Sequence, residues 1–191
     1  MSAKGIPPRN RRHALMPVRQ RHGNDCGPAA LATVAAAYGH RLDYRGLLDD
    51  AALDCRGTDL LTLARIAQRY GFGVRAVRAD HGAISECPLP AIAHLRRRLG
   101  GGHFVVLLTC DADFMTVADP AVGVRRLSRT KYQRWSTGYL LLAEPSVREP
   151  SVRPGPGVTA KSTEPERNWV VPLRSSPPIS GPSMNGGPHR Y

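Results

Sequence analysis

Between Cys26 and Tyr38 the chain carries small or apolar residues at nearly every position, interrupted only by Thr33. Pro28 suits the first turn of a helix, where its missing N–H has no partner to lose, and Gly39 suits the stop. The pattern predicts a helix over 26–38, with Leu31, Val34, Ala30 and Ala37 giving a close-packing apolar face. A short second helix is predicted over 44–50. A third opens at Thr58-Asp59, whose oxygens can cap it, and runs to Gly71 with Leu60, Leu63, Ala64 and Ala67 on one stripe.

After Gly71 the period shortens to two. Strands are predicted through Phe72–Val77, Pro90–Leu95, Phe114–Ala118, Val122–Leu127 and Tyr139–Ala143. His103–Cys110 is nearly continuous in apolar residues, as expected of a strand buried on both faces. Helices come first and strands second. That order argues an α+β fold, with N-terminal helices packed on a C-terminal antiparallel sheet.

Composition refines the boundaries. The chain has 191 residues, 41% of them hydrophobic, which suffices for a core. Its net charge of +12 is uneven. Residues 1–22 hold six basic groups and no acid, whereas residues 23–145 hold fifteen basic against twelve acidic groups. A basic arm (1–18), a folded domain (19–145) and a Pro/Gly-rich tail (146–191) follow. The tail carries nine of the seventeen prolines and is expected to be disordered. A nearly neutral middle disfavours nucleic acid as a partner. No apolar run reaches the roughly 18 residues of a membrane span, and Pro17 follows Arg11-Arg12 too soon for an export signal. Cys26, Cys55, Cys87 and Cys110 form no C-x-x-C pair, so zinc is not expected, and reduced thiols point to the cytoplasm.

Cys26 stands out among the four. It lies in Gln20-Arg21-His22-Gly23-Asn24-Asp25-Cys26-Gly27-Pro28, at the predicted start of a helix. Unpaired N–H groups and the helix dipole favour a thiolate there, although buried cysteines are commonly core filler. A nucleophilic thiolate needs a base, an orienter and oxyanion donors. His103 follows Gly100-Gly101-Gly102 at a strand mouth, and Asp119 ends the next strand-like run. If those strands pair, the carboxylate can reach the imidazole. Gln20, six residues before Cys26, can turn its amide toward the same carbonyl. A solvent-facing histidine and a turn-forming Asp119-Pro120 remain the plainer readings of these residues taken singly.

Taken in order, Gln20, Cys26, His103 and Asp119 resemble the C39 family of cysteine peptidases, papain-like domains that cut leader peptides from bacteriocin-like precursors. The likeness extends through Gly57-Thr58-Asp59-Leu60-Leu61, Tyr70–Val77, Leu89–Leu95, His103–Leu107, Ala118-Asp119-Pro120 and Thr137–Leu142. It implies a papain-like fold and a cytoplasmic endopeptidase acting on double-glycine leaders, without cofactor or metal. Cys26 would be the nucleophile and His103 the base and then the acid. Asp119 would orient His103, and Gln20 would donate to the oxyanion. The implied partners are a precursor peptide and a separate ABC-type export transporter at the inner face of the membrane. With no P-loop and no span in the sequence, a free-standing peptidase is expected. The alternative is a catalytically weak leader-binding module on the same fold. His94, in Pro90-Ala91-Ile92-Ala93-His94, is expected to be structural and remote from the glycine mouth.

Overall fold

The computed structural model describes residues 16–54, 57–80, 82–97 and 101–146, and the backbone of 170–173. Most of the basic arm, Cys55 and nearly all of the tail lie outside the described residues. The first helix, α1 (Cys26–Ala37), ends where Gly39 takes a φ of 83°. Helix α2 (Tyr44–Ala51) starts at Asp43, whose side chain accepts from the backbone N–H of Arg45 and Gly46. Helix α3 (Leu60–Arg69) is capped by Asp59 at 2.7 Å from the Thr62 nitrogen. Asp59 alone supplies the cap; the Thr58 hydroxyl turns to the Asp59 carbonyl instead.

The strands follow: β1 (Phe72–Ala79), β2 (Ala91–Arg96), β3 (Gly102–Cys110), β4 (Phe114–Asp119), β5 (Gly123–Ser128) and β6 (Ser136–Pro145). They form one sheet in the order β5-β4-β3-β2-β6-β1, antiparallel throughout. Both of its faces are covered. Phe104, Val106 and Leu108 of β3 point toward α1 and α3, where Leu31, Val34, Leu63 and Ile66 complete one core. Val105 and Leu107 point the other way, into a second core with Ile84, Met115, Leu140 and Tyr132. The continuous apolar run in β3 is thus a strand buried on both faces.

Two elements depart from the expected pattern. Helix α4 (Arg129–Trp135) precedes β6, capped by the Ser128 hydroxyl at 3.3 Å from the Lys131 nitrogen. Its RTKYQRW sequence has no apolar stripe and buries only Tyr132. Within the span read as a disordered tail, Val170–Leu173 form β7, which joins β1 in parallel. Neighbouring Val170-Val171 are β-branched, and β1 offers them an open sheet edge.

Helix α1 can meet β3 and α3 closely only because residue 27 lacks a side chain. A Cβ there would collide with Thr58 Cγ2 and lie 3.4 Å from Phe104. Gly27→Ala is expected to lower stability by about 1–3 kcal/mol in chemical denaturation. Adding Thr58→Ser, which removes that methyl, should recover part of the loss; an unchanged midpoint in the single variant would mean the contact yields freely.

Candidate active site

The segment before α1 is shaped by Asp25. Although Asp25 sits at the N-cap, its side chain makes no cap bond to the helix. It turns back instead. One oxygen accepts from the His22 nitrogen at 3.0 Å, and the other from the Arg21 nitrogen and the Tyr44 hydroxyl, each at 2.9 Å. Asp25 is fully buried, and the Arg21 guanidinium lies 5.1 Å above the Tyr44 ring. Residues 21–25 are thereby folded over α2. The first-turn N–H groups of Cys26 and Gly27 are left without a side-chain cap, aimed where a thiolate or an oxyanion would form.

His103 opens β3 and Asp119 closes β4. The pairing of Val106 with Ala118 sets Asp119 one step further, diagonal to His103 on the same sheet face. The outcome is a hydrogen bond of 2.8 Å from His103 Nε2 to Asp119 Oδ1. Asp119 Oδ1 also accepts from the Ala121 nitrogen at 2.9 Å, and Arg125 lies 3.7 Å from Oδ2. Cys26, His103 and Asp119 are each less than a tenth exposed. The structure therefore brings together the three residues at which thiol, imidazole and carboxylate were expected.

Electrostatics couples the three. Burial by itself would raise the Cys26 thiol, but the hydrogen bond with His103, one from the Phe104 backbone and the charges of His103 and Arg97 hold it below the ordinary thiol value. Burial would likewise lower His103; the bonds to Asp119 and Cys26 overcome this and raise it to about 9. Burial pushes Asp119 up, and its bonds with His103 and Ala121 bring it below the usual carboxylate value. Each member stabilises the charged form of its neighbour, which is the state a nucleophilic thiolate requires.

Arg97, just past the end of β2, adds a constraint. Its Nη2 lies 3.2 Å from His103 Nδ1. A guanidinium only donates, so this bond exists when Nδ1 is bare and His103 is neutral with its proton on Nε2. Once Nδ1 carries a proton toward the Cys26 thiolate, the Arg97 bond is lost and the guanidinium is released.

A cleft of about 780 Å³ opens beside Cys26, with Gly57, Gly101 and Gly102 in its wall and Leu60, Leu61 and Tyr139 offering apolar surface. His94 lines it too, contrary to expectation. The β2–β3 hairpin pairs His94 with Phe104, and its ring lies 5.0 Å from the Phe104 ring. A Cβ at Gly102 would strike His94 Nε2. The Thr137 hydroxyl donates to the His94 carbonyl at 3.0 Å, leaving its lone pairs for His94 Nδ1 at 3.1 Å. His94 thus carries its proton on Nδ1, and burial together with the His103 charge lowers its pKa. Nine residues separate His94 from His103 in sequence, but the hairpin makes them near neighbours.

Gln20 is held beside the carboxylate loop by its backbone nitrogen, 3.1 Å from the Pro120 carbonyl. Its side-chain nitrogen donates to the His22 carbonyl, and Oε1 is buried without a hydrogen-bond partner among the described residues. One amide N–H remains for another acceptor. Cys87, buried, and Cys110, half-buried, are free thiols raised by burial and take no part in this arrangement. Among the described residues no helix is long and apolar enough to cross a membrane.

A helix that opens on a thiol, set against an antiparallel sheet carrying an imidazole and a carboxylate, defines the cysteine peptidases of papain-like fold. The chain belongs to the Peptidase C39 family, whose profile matches residues 15–148. Two solved C39-type domains share the fold. A double-glycine motif protease from an AMS/PCAT transporter, in complex with the leader peptide, aligns with a TM-score of 0.64 at 25% identity, covering 75% of this chain and 96% of that one. The peptidase domain of Streptococcus ComA, a bifunctional ABC transporter, aligns with a TM-score of 0.65 at 28% identity, covering 69% and 99%. An uncharacterized protein of Methanothermobacter marburgensis is 36% identical over 127 residues, 66% of this chain and 87% of its own length. The lactococcin-G-processing and transport ATP-binding protein of Lactococcus lactis is 29% identical over 138 residues, 71% of this chain. The match spans only 20% of that relative's length.

Proposed function

We propose that this chain is a cysteine endopeptidase that removes double-glycine leader segments from small peptide precursors. The observation that carries the reading is the line Cys26–His103–Asp119 at the end of a glycine-walled, apolar cleft. The Cys26 thiolate attacks the scissile carbonyl, and the Cys26 N–H with the Gln20 amide receives the oxyanion. His103 passes its Nδ1 proton to the leaving amine and then takes one from the water that hydrolyses the thioester. Asp119 holds the imidazole with Nε2–H inward throughout. The apolar wall at Leu60, Leu61 and Tyr139 suits the apolar side chains of a leader. Relatives named as transport and processing proteins support an ABC-type exporter as partner.

The test is incubation of the full chain with synthetic precursors that contain one Gly-Gly junction, with product masses read directly. Cleavage after the second glycine is expected, and replacing that glycine by leucine should abolish it. Gln20→Ala is expected to lower kcat by about 100–1000-fold with little change in KM, because the lost donor acts only on the developing oxyanion. A rise in KM with kcat intact would remove Gln20 from the oxyanion site.

A further inference from the structure

A second cavity, of about 430 Å³, is lined by Arg96, Arg97, Arg134 and Trp135. It lies where the end of β2 meets the end of α4, next to the start of β6. Three guanidiniums gather there. Among the described residues no carboxylate lies within ion-pair distance of Arg96, Arg97 or Arg134, whereas Arg69, Arg125 and Arg126 each have one. Neighbouring cations without an anion, beside the partly exposed indole of Trp135, make a receptor for a carboxylate. Among the described residues, Arg97 is the one that lines both this cavity and the cleft holding Cys26.

The position of Arg97 says which part of a substrate would meet it. This step rests on the peptidase reading above. The leaving amine must approach His103 Nδ1 to receive its proton, and Arg97 Nη2 is 3.2 Å from that same nitrogen. The peptide on the leaving-group side therefore starts beside Arg97, while the leader fills the apolar cleft. Each extended residue advances the chain by roughly 3.3 Å, so the first three residues after the cut span the second cavity. Protonation of Nδ1 also frees Arg97 from His103, so the guanidinium becomes available when the reactive ion pair forms.

We propose that Arg97, Arg96 and Arg134, with Trp135, form a subsite for an acidic side chain within the first three residues of the released peptide. The enzyme is then a reader of both sides of its cut, selecting precursors whose mature part begins with an Asp or Glu close to the junction.

The experiment uses the full chain and four precursor peptides sharing one leader and one Gly-Gly junction. One has Gln at all three positions after the cut; the others carry Glu at the first, second or third. At one position Glu is expected to raise kcat/KM about tenfold over Gln, with the advantage shrinking as salt is added. Arg97→Gln and Arg134→Gln should each bring the Glu-to-Gln ratio toward one, while Arg134→Lys, retaining the charge, keeps part of it. A purely structural loss would lower cleavage of all four peptides alike and leave the ratio intact, as thermal melts of each variant would corroborate. A ratio near one at all three positions in the wild type, or an undiminished ratio in both glutamine variants, overturns the subsite and leaves the peptidase reading standing. Cleavage of none of the four overturns both.

Discussion

Cys26→Ala is expected to lower precursor cleavage by a factor on the order of 10⁴ or more, and to abolish alkylation at this position, without unfolding the chain. The alanine removes the nucleophile from a site in which His103 and Asp119 remain bonded, so little packing is lost. The pH dependence of the wild type should show the pair at work. The thiolate forms as pH rises through a value below that of an ordinary thiol, and His103 keeps its proton until about 9. Activity should therefore rise as the thiolate forms, at a pH below that of an ordinary thiol, and fall as His103 deprotonates near 9. Asp119→Asn takes away a cause that raises His103, so the alkaline limb should move to lower pH. Iodoacetamide alkylation of Cys26, followed by mass spectrometry across the same range, reads the thiolate independently of any substrate. An alkylation rate that rises only near the ordinary thiol value would refute the ion pair.

Asp25→Ala is expected to cost about 3 kcal/mol of stability, seen as a melting temperature lower by roughly 6–12 °C. The substitution strips acceptors from the Arg21 and His22 N–H groups and from the Tyr44 hydroxyl at once. Asn is no remedy, because its amide nitrogen would face one of those donors. Tyr44→Phe removes a single donor, and its loss should be nearer 1 kcal/mol. The same pair reports on the site. If residues 21–25 position the start of α1, Asp25→Ala should also slow alkylation of Cys26 well below the melting transition. A variant with wild-type alkylation and a lowered melting temperature would confine Asp25 to stability.

Much of this arrangement is legible from residue order, and the rest is hidden for identifiable reasons. Helices α1 and α3 carry their own punctuation in Pro28, Gly39, Asp59 and Gly71, and the change of period after Gly71 marks the sheet. Helix α4 lacks an apolar stripe, since Tyr132 alone anchors it. Cys26, His103 and Asp119 sit beside local signals: a helix start, a glycine mouth and a strand end. Asp25 gives no such signal. Its partners are two backbone N–H groups and a tyrosine from another helix, and only the folded chain assembles them. Arg97 and His94 were hidden by the β2–β3 hairpin, which folds a basic loop end and a strand interior back onto the His103 imidazole. The two valines of β7 are outweighed locally by the prolines and charged residues around them.

The position of β6 has a consequence for the order of events in synthesis. β6 lies between β2 and β1, so neither has its inner neighbour until the chain has been made through Pro145. Cys26, His103 and Asp119 are all translated earlier. A nascent chain made through Ser128 owns every proposed catalytic group yet holds two unjoined sheet fragments, β1 alone and β2 through β5. Closing the gap requires pairing Phe72 with Pro145, a contact of long sequence separation that forms slowly in most folds. β6 is therefore what ties β1, with α3 packed on it, to the fragment that carries His103 and Asp119, and the wall that α3 gives the cleft at Leu60 and Leu61 is fixed late in synthesis.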